Sequence, residues 1–118
     1  MYHTDLEVWK RSMTLVEKVY ALTKMMNAQE RYDFGSQINR AVVSIPSNIA
    51  EGAGRRSNKE FLRYLDISSG SLSELETQLM ILDRLGLQKL APDIQEDIVT
   101  IRAMIHGLKR SIALRSKH

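Results

Sequence analysis

The 118-residue chain has no cysteine, which excludes both a disulfide framework and a thiolate metal site. Proline occurs twice and glycine six times, and no alternation of apolar and polar residues persists, so the composition favours helices over strands. An apolar run of 18 or more residues is missing, and the start MYHTDLEVWK carries no hydrophobic segment behind a basic one. Neither a membrane span nor a signal peptide is expected, which makes the cytoplasm the expected compartment. Glu-x-x-His, the spacing that builds carboxylate-bridged metal sites in bundles, is absent. His3, His106 and His118 stand apart from any ligand spacing and read as surface residues. Ser44, Ser47 and the serines between Ser68 and Ser73 have no evident base to activate them, and the glycines around Arg55 lack the Gly-Lys-Ser/Thr of a phosphate loop. The expectation is therefore a protein that is not an enzyme, with no cofactor, metal or small-molecule substrate.

What the chain does have is 43% hydrophobic residues, enough for one core, and a formal net charge of +3 that is unevenly spread. The spacing predicts four helices over about 5–26, 31–52, 58–85 and 92–114 in a single domain spanning 1–118. Thr4-Asp5-Leu6-Glu7 and Ser57-Asn58-Lys59-Glu60 read as capping boxes opening the first and third helices. Gly52 and Gly54 offer left-handed stops for the second, and Pro92 suits the first position of the fourth. Short turns between amphipathic helices give an all-α, antiparallel up-down-up-down four-helix bundle. Pro46 falls inside the second helical pattern; either the helix continues with a kink, which the apolar spacing through Ile49 favours, or a new helix begins there.

Core stripes follow at helical spacing. Phe34, Ile38, Ala41, Val42, Ile45 and Ile49 mark the second helix, Phe61, Leu65, Ser68, Leu72, Leu75, Leu79 and Leu82 the third, and Ile94, Ile98, Ile101, Ile105, Leu108 and Ile112 the fourth. The first helix carries two stripes: Leu6, Trp9, Met13, Val16 and Tyr20, and, roughly 130° away, Val8, Leu15, Val19, Leu22 and Met26. That arc is wider than one core needs. The excess, assigned to Val8, Leu15, Val19 and Leu22, reads as an oligomer interface, with deeper insertion into the chain's own core as the alternative.

Beside the apolar face of the second helix, Gln37, Arg40, Ser44, Asn48 and Glu51 fall in one arc. With Glu74 they form a polar seam against the third helix, in which Arg40 is expected near Glu74 and Glu51 near Arg63. The small patch Ser68-Ser69-Gly70-Ser71 suggests close approach of another backbone. Two groups of cations stand out: Arg55, Arg56, Lys59 and Arg63 around the glycine turn, and Arg102, Lys109, Arg110, Arg115 and Lys117, with no acidic residue in 102–118. Each reads either as a solvated face or as a phosphate-binding strip. Without aromatic residues interleaved, base stacking and sequence specificity are expected to be poor.

Asp5-Leu6-x-Val8-Trp9, the block from Gln37 to Gly52 around Ser44-Ile45-Pro46-Ser47-Asn48-Ile49-Ala50-Glu51, and Gly70-Ser71-Leu72-x-Glu74-Leu75-Glu76-Thr77-Gln78-Leu79 resemble the bacterial 23S rRNA intervening sequence proteins, also called the four-helix bundle protein family. A more distant similarity is to the accessory variability determinant of diversity-generating retroelements, a basic pentamer that binds nucleic acid. The resemblance implies a homo-oligomer, in many members a pentamer, and a nucleic-acid partner, RNA or DNA. Where such proteins often carry Pro before the second helix this chain has Asn27 or Ala28, and where a basic residue is common it has Asn39. A protein-interaction scaffold with no nucleic-acid role is the alternative.

Overall fold

The computed structural model describes residues 2–116, of which Ser116 is described in its backbone alone. Among them no strand forms. Four long helices, α1 (Glu7–Lys24), α2 (Ser36–Ala53), α3 (Asn58–Arg84) and α4 (Pro92–Ser116), make a rod of 52 × 20 × 19 Å. Their buried aliphatic side chains share one core. Every position of the α3 stripe from Phe61 to Leu82 is buried, as are the α4 isoleucines from Ile94 to Ile112, while Leu108 is half-buried.

The helix starts differ from the capping reading at one end and match it in part at another. His3–Asp5 form a single 3-10 turn, and α1 begins after Leu6 with no side-chain cap, so Thr4 and Glu7 do not close a capping box. At α3 the Ser57 side chain accepts from the Glu60 N–H at 3.1 Å. The full box lies where none was expected: Asn27 Oδ1 accepts from Glu30 N–H at 2.8 Å and Glu30 Oε1 accepts from Asn27 N–H at 3.4 Å. It opens a short turn, Ala28–Glu30, that passes through a π-helical segment, Arg31–Gly35, directly into α2. Two orphan donors are satisfied there at once.

Glycine acts in two ways. Gly86, at φ 72°, ends α3 in the left-handed region, and the Leu87 N–H bonds the Leu82 carbonyl at 3.0 Å. Gly52 and Gly54 are not left-handed stops. Gly52 is buried inside α2, and a Cβ there would lie 2.8 Å from Tyr64 Cβ and 3.0 Å from the Phe61 ring, so its role is to let α3 come close. The short turn after Ala53 then leads straight into the Ser57 cap.

α2 runs unbroken through Pro46. Proline supplies no N–H and crowds the preceding turn, and the three carbonyls just before it each accept from a side chain. Ser47 Oγ donates to Val43 O at 2.8 Å, Asn48 Nδ2 to Ser44 O at 2.8 Å, and Ser68 Oγ of α3 to Ile45 O at 2.9 Å. Ser44 Oγ also meets Ser71 Oγ at 2.8 Å. The small polar residues of α2 and α3 thus solvate a helix turn from inside the fold, and Ser68 is fully buried in doing so.

Cross-helix pairs run in opposite chain order: Gly52 lies against Phe61 and Ser44 against Ser71, Asp66 meets Lys109, and Glu76 meets Arg102. On the far side Asp97, 2% exposed, accepts from Arg11 Nε at 3.0 Å and Lys18 Nζ at 2.7 Å, joining α1 to α4. Lys18 also stands 3.5 Å from Asp93.

The two stripes of α1 are the reverse of the sequence assignment. Val8, Leu15 and Val19 are buried in the chain's own core and Leu22 is half-buried, so these four are not a free interface. The inward stripe is completed by Ser12 and Thr23, both buried. Ser12 Oγ donates to Val8 O at 2.7 Å and Thr23 Oγ1 to Asn39 Oδ1 at 2.9 Å, so neither hydroxyl is buried unsatisfied. The other stripe is mixed: Met13 and Tyr20 are 39% and 45% exposed, while Leu6, Trp9 and Val16 are half-buried against the core.

Candidate nucleic-acid interface

At the turn between α2 and α3 and the start of α3, two of the four cations, Arg55 and Arg63, lie on one aromatic ring. Arg55 sits between the Glu51 carboxylate, which its Nη2 bonds, and the Tyr64 hydroxyl at 2.9 Å, and its guanidinium stacks 5.0 Å from the Tyr64 ring centroid. The Glu51 hydrogen bond, above all, holds the Arg55 guanidinium more firmly protonated than usual. Arg63 lies on the same ring at 5.4 Å and 3.7 Å from Glu60. Arg56 and Lys59 are exposed and make no ion pair among the described residues.

On α4, Arg102 Nη2 donates to Glu76 Oε1 at 2.8 Å and Lys109 pairs with Asp66, both across to α3. Arg110 and Arg115 are exposed, without an ion-pair partner among the described residues, and Lys117 lies outside the described residues. The Lys109–Asp66 contact places the last third of α4 beside the first third of α3, the same end of the rod as Arg55, Arg56, Lys59 and Arg63. The α4 cations from Lys109 onward are thereby brought to the end that holds the turn, while Arg102, paired with Glu76 in the second half of α3, stands further along the rod. Four of the eight described cations are engaged by carboxylates; Arg56, Lys59, Arg110 and Arg115 keep their charge for solvent or an anion. Among the described residues no group of acidic or histidine side chains could hold a metal ion, and no helix is long and apolar enough to cross a membrane.

The seam expected from Gln37, Arg40, Ser44, Asn48, Glu51 and Glu74 divides. Ser44 and Asn48 are half-buried in the network around Pro46, with Asn48 Nδ2 also 2.8 Å from Ser44 Oγ. Gln37, Arg40, Glu51 and Glu74 are exposed. In place of the expected cross-helix ion pairs, Glu51 takes Arg55 one turn on, Arg63 stands beside Glu60, and Glu74 accepts from Gln78 at 3.2 Å. A neighbour on the same helix is reached with less loss of side-chain freedom than one on another element, and exposed pairs contribute little either way.

Sequence reasoning placed His106 on the basic arc of α4 but missed the Tyr64 ring and the grooves, one beside that arc and one on another face. Tyr64 is the aromatic partner of two arginines, detectable as an aromatic residue directly after the Lys59–Arg63 stretch. His106 and Ser69 line a groove of about 500 Å³ between α3 and α4 together with Arg102, Lys109 and Arg110. A second groove of about 380 Å³, apolar, runs between α1 and α2 past Trp9, Met13, Val16, Val43 and Pro46, where His3 packs edge-on to Trp9 at 5.1 Å.

Compared with known proteins, residues 4–107 match the family model described as 23S rRNA-intervening sequence protein. The match takes in α1, α2, α3 and Arg102, and stops before Lys109, Arg110 and Arg115. No curated protein matches the chain. With four long helices, no strand among the described residues and a match over most of its length, the chain belongs to the 23S rRNA-intervening sequence protein family.

Proposed function

We propose that the chain is a non-catalytic antiparallel up-down-up-down bundle, bent at Pro46, that assembles in the cytoplasm into a homo-oligomeric ring, a pentamer as the family resemblance implies, and holds RNA or DNA on one basic end. The observation that carries the reading is the Lys109–Asp66 pair, through which the C-terminal cations of α4 join Arg55, Arg56, Lys59 and Arg63. The opposite chain order of the cross-helix pairs supports the antiparallel arrangement. The four cations unengaged among the described residues, Arg56, Lys59, Arg110 and Arg115, give weak phosphate binding, and a ring multiplies it through effective concentration. The family description, which names an intervening sequence of 23S rRNA, supports RNA as the first ligand to try. For assembly the surface is Met13 and Tyr20 of α1 with Val43 of α2, since Val8, Leu15 and Val19 are committed to the core.

Anisotropy titration of structured rRNA fragments at low salt tests the binding. Wild type should bind with an affinity that falls steeply with salt, and Arg56→Gln/Lys59→Gln/Arg110→Gln should weaken it and flatten the log–log salt slope by about 0.7–0.9 for each phosphate no longer neutralised. No binding at tens of micromolar protein removes the proposal, and a monomer by light scattering removes the ring. The second reading, a protein-interaction scaffold, is favoured by the exposed apolar groove at Trp9, Met13 and Val43; co-purification of one discrete protein without nucleic acid would support it.

A further inference from the structure

The groove between α3 and α4 combines two surfaces that simple phosphate binding does not need together. Arg102 and Lys109 stand in its wall with Glu76 and Asp66 already on them. His106 and Arg110, one helical turn apart on α4, have no ion-pair or hydrogen-bond partner among the described residues. Small and apolar residues share this side of α4: Val99 and Ala103 stand about two turns and one turn before His106, and Gly107 directly follows it. Val99 is 54% exposed, Ala103 is exposed, and a Cβ on Gly107 would meet no atom within 4 Å.

A free phosphate would use the cations and leave the apolar floor wet. A duplex likewise offers phosphates at its surface and keeps its base faces stacked inside. A nucleotide in an unpaired strand carries a flat, largely apolar ring beside its phosphate, which fits both halves of the groove. We infer that this groove seats one unpaired nucleotide of a bound nucleic-acid strand, its base laid over Ala103 and Gly107 and its phosphate on His106 and Arg110. A strand fits better than a free nucleotide because the unengaged cations continue past the groove, to Arg115 and to Arg56 and Lys59 at the same end of the rod. The inference rests on the nucleic-acid reading above and narrows it to single-stranded or looped segments. It also supplies a base contact that the absence of interleaved aromatic residues had argued against, because an aliphatic floor can cover a base face without stacking.

The test compares an unstructured RNA dodecamer with the duplex it forms with its complement, at low salt, on the full chain. Wild type should prefer the single strand. Gly107→Leu, which fills the groove without changing charge, should reduce single-strand affinity about five- to eightfold, as the loss of roughly 40–50 Å² of apolar contact implies, and keep duplex affinity within about twofold. Gly107→Ala, a smaller filling in a better helix former, should show the same effect more weakly, and circular dichroism checks that both variants fold. Ultraviolet crosslinking of 4-thiouridine RNA should label the tryptic peptide 103–109. The inference is overturned if Gly107→Leu leaves single-strand binding unchanged, if it weakens duplex binding equally, or if adenosine monophosphate binds as tightly as the dodecamer. Failure of the wider reading looks different: wild type would then bind neither RNA.

Discussion

Two glycines in neighbouring helices should respond in opposite directions to the same substitution. Gly70 lies mid-way along α3, exposed, and a Cβ added there would meet nothing within 4 Å. Gly70→Ala therefore carries no steric penalty, and it recovers the helix propensity that glycine forfeits, about 0.8–1.0 kcal/mol. For a chain of 118 residues, with an unfolding entropy of about 2.1 cal/mol/K per residue, that is a rise of roughly 4 °C in Tm. At Gly52 the added carbon would lie 2.8 Å from Tyr64 Cβ and 3.3 Å from the Phe61 carbonyl oxygen, neither of them the end of a flexible side chain. Gly52→Ala should cost about 1–3 kcal/mol as α2 and α3 are forced apart. Urea and thermal unfolding followed by circular dichroism, run at several protein concentrations, measure both. If Gly70→Ala lowers the midpoint, the reasoning fails, because the space over Gly70 must then be filled. A destabilisation that grows with protein concentration would place a second molecule over Gly70, which α2 leaves open while it meets Ser68 and Ser71 of the same small patch.

Further outcomes follow from the inverted stripes and the polar network. Leu15→Ala should destabilise by about 2–5 kcal/mol, since Leu15 is fully buried, whereas Met13→Ala should change the isolated chain by less than about 0.5 kcal/mol; equal effects in dilute urea titrations would mean that the two faces of α1 are not inner and outer as described. Asn48→Ala removes two donated hydrogen bonds from the turn before Pro46 and should cost about 1–2 kcal/mol, with a drop in helical signal as the second readout. Asp97→Asn should lower Tm by several degrees at neutral pH, because it weakens the hold on Arg11 and Lys18 at once. The hydrogen bond that Lys18 donates to Asp97, with the charge of that carboxylate, raises Lys18 above its ordinary 10.5. That contribution is complete below about pH 10.5 and is lost as pH rises through the higher folded-state value, so the gap in Tm between variant and wild type should narrow in strongly alkaline buffer without closing, because Arg11 keeps its charge and its bond to Asp97.

How far the sequence could be read depended on whether a position's fate was decided by its own helix. The α3 stripe from Phe61 to Leu82 was legible because its one polar member, Ser68, keeps the spacing unbroken between leucines. In α1 the inward stripe includes Ser12 and Thr23, whose hydroxyls are satisfied locally or by Asn39, so a count of apolar residues favoured the wrong face. The Asn27–Glu30 capping box was present in the sequence but lay ahead of the apolar spacing that defined α2, whereas Thr4–Glu7 had the letters without the geometry. The basic strips could be found by composition. The meeting of the last α4 cations with the turn at one end could not, because it depends on the lateral register of α3 and α4, which the Leu85–Ala91 connection sets. Nor could the engagement of Arg102 and Lys109 by carboxylates of α3, which halves the charge that the α4 strip offers to an anion.

The Asp97 carboxylate also limits how the first and last helices can be exchanged or misplaced. Arg11 and Lys18 are seven residues apart, two turns of one helix face, and both reach the same acid. Sliding α1 by a single turn would leave the buried Asp97 carboxylate with at most one counter-ion, a less stable arrangement. A copy of α1 donated by a neighbouring chain would be accepted only at the native height, so swapped assemblies should reproduce the intramolecular geometry or not form.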